Sequence, residues 1–326
     1  MEFLLAEWLG KPAWMWLGFM GVVAALLALD LGVLHRKDHE IGVRESLALS
    51  AMYIAIGIGF GGFVWWELGQ QKALEYVTGF AIEKSLAMDN VFVIAMIFGA
   101  FSIPRLYQHR VLFWGILGVI VLRAIMIAAG AALVSRYEWV LYVFAAFLIF
   151  TGVKMFTARH ESEQDIAENR ILAWLRRHLP VTERLHGHAF FVRQPNAAGR
   201  ISLHATPLFL ALVMIEFADL VFAVDSVPAI FAITTDPYIV YTSNIFAILG
   251  LRALYFALAA VIHRFAYLKQ ALAVLLIFIG GKVIVAPLMG LDKVPPAMSL
   301  GVTAVILAAG VAYSLWRTRT DAPSAP

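Results

Sequence analysis

Along this chain, apolar positions do not alternate with polar ones. They run unbroken for about 20 residues at a time, the length an α-helix needs to cross a bilayer. The runs predict nine helices, at roughly 13–34, 45–66, 76–102, 109–134, 137–156, 204–232, 238–262, 268–291 and 297–316. The short alternating segments of a membrane barrel are missing, so the pattern predicts an all-α polytopic membrane protein. One polar stretch, 157–203, parts the fifth run from the sixth; it is basic, reads as helical over 167–178, and is too polar to insert. The chain then divides into two helices (1–75), a three-helix unit (76–156), the basic linker (157–203), a second three-helix unit (204–291), and a last helix with its tail (292–326).

Composition sharpens the picture. Of 326 residues, 62% are hydrophobic and only 14% charged, with mean hydropathy +0.82. A water-soluble domain is nearer a quarter charged. A soluble enzyme and a disordered chain are both excluded. Cysteine is absent, which removes disulfides, thiolate metal sites and thiol nucleophiles. The net charge of +3 follows from topology rather than from nucleic-acid binding. Lys and Arg crowd one set of loops (Arg36, Lys37, Arg44, Arg105, Arg110, the arginines from Arg159 to Arg200, Arg264, Lys269, Arg317, Arg319), while the other set holds Lys11, Lys72, Arg136 and Lys293. By the positive-inside rule the N-terminus is expected outside and the C-terminus on the cytoplasmic side. The start carries Glu2 and Glu7 rather than a basic region, so no cleavable signal is expected.

The chain also repeats itself. Glu83-Lys84-Ser85-Leu86-Ala87-Met88-Asp89-Asn90-Val91 matches Asp219-Leu220-Val221-Phe222-Ala223-Val224-Asp225-Ser226-Val227, with both acids offset by 136 positions. Val121-Leu122-Arg123-Ala124-Ile125 matches Gly250-Leu251-Arg252-Ala253-Leu254 at an offset of 129, and the stretch through Thr151-Gly152-Val153-Lys154 matches that through Ile279-Gly280-Gly281-Lys282 at 128. Three spans per unit turn the second unit upside down. That is an inverted repeat of three helices each, the construction of many secondary transporters, with binding near the midplane.

Charges inside the spans supply the candidate chemistry. The acids are Asp30, Glu83, Asp89, Glu216, Asp219 and Asp225; the cations are Lys84, Arg123, Lys154, Arg252 and Lys282. Each costs about 2.5–3.5 kcal/mol at a helix centre, so they must pair or face a wet cavity. The cations are expected to balance charge, Arg123 and Arg252 against one partner each, with Lys154 and Lys282 near helix ends. The acids gather on two related helices beside Asn90 and Ser226, while Pro228 removes a backbone donor and is expected to break its helix. Carboxylates with amide and hydroxyl oxygens, without thiolate or buried imidazole, suit a hard divalent cation such as Mg²⁺, Ca²⁺ or Mn²⁺. Crowded acids also hold protons that an arriving ion would displace, a route to proton coupling. Met88 and Met214 lie close enough in sequence to add a thioether, although core filling is the commoner role. Asp30 is expected at a vestibule or paired with loop cations, and His186-Gly187-His188 in a solvated loop. Tyr241 and Asn244 are candidates for the cavity wall, with packing the commoner role. The tryptophans Trp8, Trp14, Trp16, Trp65, Trp66 and Trp139 are expected in an interfacial belt.

These residues carry a resemblance. Phe80, the Glu83 to Asn90 motif, Tyr107-Gln108-His109-Arg110-Val111-Leu112-Phe113-Trp114-Gly115, and Phe217-Ala218-Asp219 through Val227-Pro228-Ala229 resemble the TerC family of bacterial membrane proteins, closest to its Alx-type branch. The resemblance implies Mn²⁺ export, in some members tied to metal loading of secreted proteins, and a family name that comes from tellurium resistance. It carries the family's acidic positions onto Glu83, Asp89, Glu216, Asp219 and Asp225. The expected partners are therefore a divalent cation as cargo, the lipid bilayer, protons as coupling ion, and an oligomer or secretion-machinery partner. No prosthetic group is expected. The rival expectations are a non-transporting partner in tellurite or envelope-stress resistance, and an intramembrane aspartyl protease. The protease lacks support because no Gly-x-Gly-Asp signature accompanies the acids.

Overall fold

The apolar runs fold as helices in a computed structural model that describes residues 6–32, 42–157, 169–195, 201–259, 268–291 and 294–320, apart from a few side chains that include Asp30 and Asp89. In chain order the elements are β1 (Glu7–Trp8), β2 (Lys11–Pro12), α1 (Ala13–Gly32), α2 (Val43–Leu68), α3 (Gln70–Ala100), α4 (Arg105–Arg136) and α5 (Val140–Thr157). There follow α6 (Arg170–His178), β3 (Phe191–Pro195), β4 (Ile201–Ala205), α7 (Pro207–Phe231), α8 (Pro237–Leu249), α9 (Leu251–Ala259), α10 (Leu268–Leu288) and α11 (Pro296–Thr320). β1 pairs with β2 and β3 with β4, each an antiparallel two-stranded ribbon outside the bundle.

Local signals set the boundaries. Gly69 alone joins α2 to α3, at φ +86°, a conformation that costs an L-residue but not glycine. Pro207 and Pro237 open α7 and α8, and the Asp236 carboxylate caps α8 by accepting from the Tyr238 amide at 3.1 Å. Among the described residues, six spans are long and apolar enough to cross a membrane: α2, α4, α7, α8 with α9, α10 and α11. α1 and α5 are apolar but shorter, and α3 carries Lys72, Glu75, Glu83, Lys84 and Asp89, which lower its hydropathy although its 31 residues would reach about 46 Å.

Two expectations meet a different geometry. The run at 238–262 is not one helix: it is interrupted at Gly250, where the Lys84 ammonium donates to the Ala247 carbonyl at 3.0 Å. A Cβ on Gly250 would sit 2.7 Å from that nitrogen. Lys84 therefore serves as a cationic cap on a helix C-terminus, where the dipole favours it. Pro228 does not break α7, which continues through it to Phe231. Lying in the last turn, the proline removes one amide donor at little cost to the helix end, and the Val224 carbonyl loses its usual partner.

α3 and α7 pack against each other in the middle of the bundle, with α4 on α7 and α8 on α3. α5 and α10 form the tightest helix pair, and its contacts are reciprocal. A Cβ on Gly152 would meet the Ala273 carbonyl and Ile277, while one on Gly280 would meet the Ala145 carbonyl and Ile149. Each residue in the first pair is 128 positions from its counterpart in the second, the same offset that relates Gly152 to Gly280. An aromatic cluster of Phe19, Phe60, Tyr76, Tyr238, Tyr241 and Phe246 ties α1, α2, α3 and α8 together at one end. At the other end, which bears α6 and the β3–β4 hairpin, Leu172 and Leu175 of α6 pack with Phe98, Leu208 and Tyr255. Many apolar side chains point outward along the spans, among them Ile125, Phe150 and Val305, as lipid-facing surfaces do. Of the expected tryptophan belt, Trp8, Trp65, Trp66 and Trp139 are exposed near one end, but Trp14 and Trp16 turn inward onto Phe63 and Tyr238.

Candidate functional site

α3 and α7 each bring an acid to the point where α4 brings Arg123. The guanidinium, 1% exposed, lies 2.9 Å from Glu83 Oε1 and 3.1 Å from Asp219 Oδ1. Its Nε donates to Asp219 Oδ2 at 3.2 Å, and Nη1 also donates to the Ser226 hydroxyl. The two nitrogens on Asp219 make a fork that a lysine could not reproduce. Asn90 completes the group, its amide donating to Asp219 Oδ1 at 3.4 Å. Glu83 and Asp219, related by the repeat, therefore share one arginine. A buried pair of carboxylates with a single cation is short of positive charge.

A cavity of about 210 Å³ adjoins this cluster, lined by Glu83, Asn90, Arg123, Asp225, Ser226 and Lys154 among others, with Lys269 at the basic end of the bundle. That volume has room for an ion with several waters. Asp225 faces it and accepts from the Thr151 hydroxyl at 3.2 Å. A smaller cavity of about 20 Å³, lined by Asn90, Asp219 and Arg252, lies against the same group. Asn90 thus stands between two spaces.

Among the described residues, three buried oxygens near the cluster find no donor: Glu83 Oε2, Asn90 Oδ1 and Glu216 Oε2. All are acceptors. A buried acceptor without a partner costs about 1–3 kcal/mol, and a cation is the group that would satisfy it. Among the described residues, no three His, Asp or Glu side chains converge closely enough to hold a metal as they stand. Glu216 sits one turn before Asp219, pressed against α4 where Gly118 leaves room for it. The side chains of Asp89 and Asp30 lie outside the described residues. Met214 is buried in the apolar core and Met88 packs on it. Lys282 donates to Ser299 at 2.8 Å and lines a separate cavity of about 800 Å³ at the opposite end. His186 contacts the Gln194 amide, and His188 stacks edge-on against Tyr107.

Some polar groups to which the sequence assigns no chemistry stand out here. Thr151 is the hydroxyl partner of Asp225. Asn244, fully buried, has neither amide atom paired. At the end opposite α6, Asp236 binds Lys11 at 3.0 Å and Lys72 at 3.7 Å, while Glu75 takes Lys72 at 2.8 Å and the Thr234 hydroxyl at 2.6 Å. A signal for the last group exists in the Lys72–Glu75 spacing of three on one helix face.

Comparison with known proteins places the chain among integral membrane proteins. The profile of the integral membrane protein TerC family matches residues 68–322. A Myxococcus xanthus protein named as an uncharacterized membrane protein, STKORF319, is 48% identical over 310 residues, covering 95% of this chain and 94% of that protein. An Escherichia coli (strain K12) protein that carries the name of a membrane-bound redox modulator, Alx, is 47% identical over 316 residues, covering 94% of this chain and 95% of that one. A Rickettsia felis membrane protein is 48% identical over 302 residues, or 93% of this chain and 97% of its own length. No solved structure matches. The family match spans more than half of the chain and contains Glu83, Arg123, Asp219 and Asp225, so this protein belongs to the TerC family of integral membrane proteins.

Proposed function

We propose that this protein exports divalent metal cations, Mn²⁺ foremost, across the bacterial inner membrane by alternating access. The observation that carries the reading is the set of unpartnered buried oxygens beside a polar cavity, Glu83 Oε2 and Asn90 Oδ1 together with Asp225 on its wall. Glu83, Asp219 and Asp225, with Asn90 and Ser226 as neutral ligands, would hold the ion; Asp89 and Glu216 join them by resemblance. Hard oxygen donors favour Mn²⁺, Mg²⁺ or Ca²⁺ over softer metals. Arg123 is the internal counter-ion. When no metal is bound it neutralises Glu83 and Asp219, and an arriving dication takes over that role. Protons given up by the remaining acids would link export to proton uptake.

The reciprocal packing of Gly152 and Gly280 supports an inverted repeat that can rock about the α5–α10 contact. In this reading the end with α6 faces the cytoplasm. The Alx relative is named for redox modulation; with no cysteine in this chain, a redox effect here would arise through the metal it moves, not through thiol exchange. The test is ion binding. Purified protein titrated with Mn²⁺ should quench the free-ion electron paramagnetic resonance signal, and Mg²⁺ or Ca²⁺ in excess should restore it. An Asp219→Asn protein that binds Mn²⁺ as tightly as wild type would overturn the assignment.

A further inference from the structure

β4 of the β3–β4 hairpin is built inside out for a segment in water. Its register sets Arg193 opposite Leu203 and Pro195 opposite Ile201, and cross-strand partners share a face. Phe191, Arg193, Ile201 and Leu203 therefore lie on one side, and that side is the exposed one, with Ile201 75% and Leu203 57% accessible. The polar residues Gln194, Ser202 and His204 occupy the other side, half-buried together with Val192. A soluble hairpin shows the opposite arrangement.

Position in the fold says what covers this face. β4 ends at Ala205, immediately before the 25-residue span α7, and Phe191 packs on Phe209 in the first turn of that span with ring centroids 4.5 Å apart. The hairpin thus starts at the level where α7 enters the membrane. α6 is joined to its base through a bridge between Val181 and Ala205. On its outer side α6 exposes Trp174, Arg176 and Arg177. Apolar side chains interleaved with arginines at that depth match the boundary of acyl chains and phosphates.

We infer that the β3–β4 hairpin is an interfacial anchor, its Ile201–Leu203–Phe191 face lying in the headgroup boundary of the bilayer that holds the spans, with Arg193 taking an anionic lipid phosphate. The anchor fixes the height at which α7, carrier of Asp219 and Asp225, meets the membrane surface. It stands independently of ion transport.

The absence of cysteine makes the test direct. Nitroxide labels on Ile201→Cys, Leu203→Cys and, as a control in the exposed linker, Glu183→Cys are compared in vesicles of phosphatidylcholine with phosphatidylglycerol. Labels at 201 and 203 should relax with oxygen rather than with a water-soluble nickel chelate, and the label at 183 the reverse. Equal nickel access at all three overturns the anchor, as does dipolar broadening between labels, which would mean that a second copy covers the face. Arg193→Gln should lower the preference for co-purified phosphatidylglycerol over phosphatidylcholine about five-fold. An unchanged preference overturns the role of Arg193.

Discussion

Arg123 and Asp219 stand 96 positions apart in sequence yet meet through two hydrogen bonds, of 3.1 and 3.2 Å, in the middle of the bundle. The same guanidinium holds Glu83, so one cation on α4 fastens the two central helices. Without it, two carboxylates would face each other in a medium that solvates neither.

Arg123→Met should therefore destabilise the fold by roughly 3–5 kcal/mol, the cost of stranding a buried partner. Arg123→Lys should recover part of the loss but not the fork on Asp219. Thermal unfolding in detergent measures both, and the double variant Arg123→Met with Glu83→Gln should be less damaged than Arg123→Met alone.

The α5–α10 contact depends on two glycines. Gly152→Leu and Gly280→Leu each force a side chain into the facing helix, where even a Cβ would lie 2.7 Å from the Ala273 carbonyl in the first case. Each should cost about 1–3 kcal/mol, and by similar amounts because the contacts are reciprocal. Unfolding midpoints of the two variants check this; a loss confined to one would show that the reciprocity has no mechanical meaning.

Asp236 has three tasks: it caps α8, and it holds Lys11 and Lys72. Asp236→Ala should lower stability by about 1–2 kcal/mol, mostly through the cap. It should also free β2 from the bundle, seen as faster proteolysis near Lys11.

Asn244 is a buried amide with neither atom paired. Replacing such a group by an apolar one of similar volume removes an unsatisfied donor and acceptor at once. Asn244→Leu should leave the unfolding midpoint unchanged or raise it. A drop of several degrees would show that the amide has a stabilising partner.

How much of this was legible beforehand depends on the range of each interaction. Runs of twenty apolar residues place the spans because burial in lipid acts locally, and the acids on α3 and α7 declare themselves by being where charge is costly. Which cation serves which acid is a long-range matter. The repeat-related positions of Arg123 and Arg252 suggest one acidic partner each, but in the fold Arg123 has two, Glu83 and Asp219, while Lys84 caps α8. The break at Gly250 was hidden because the run stays apolar across it. The hairpin at 191–205 carries a signal, alternation of apolar and polar residues from Ile201 to Ala205, but the basic content around it reads as linker. The sixth apolar run begins at 204, whereas Pro207 opens the helix.

The central claim, that the acid-lined cavity between α3, α5 and α7 carries divalent cations, is tested most directly by flux. Purified wild-type protein in liposomes with Mn²⁺ on one side and a metal-sensitive dye on the other should move the ion, and Asp225→Asn should abolish movement while leaving insertion and the unfolding midpoint intact. Equal Mn²⁺ flux through wild type and Asp225→Asn, or none through either, contradicts the account.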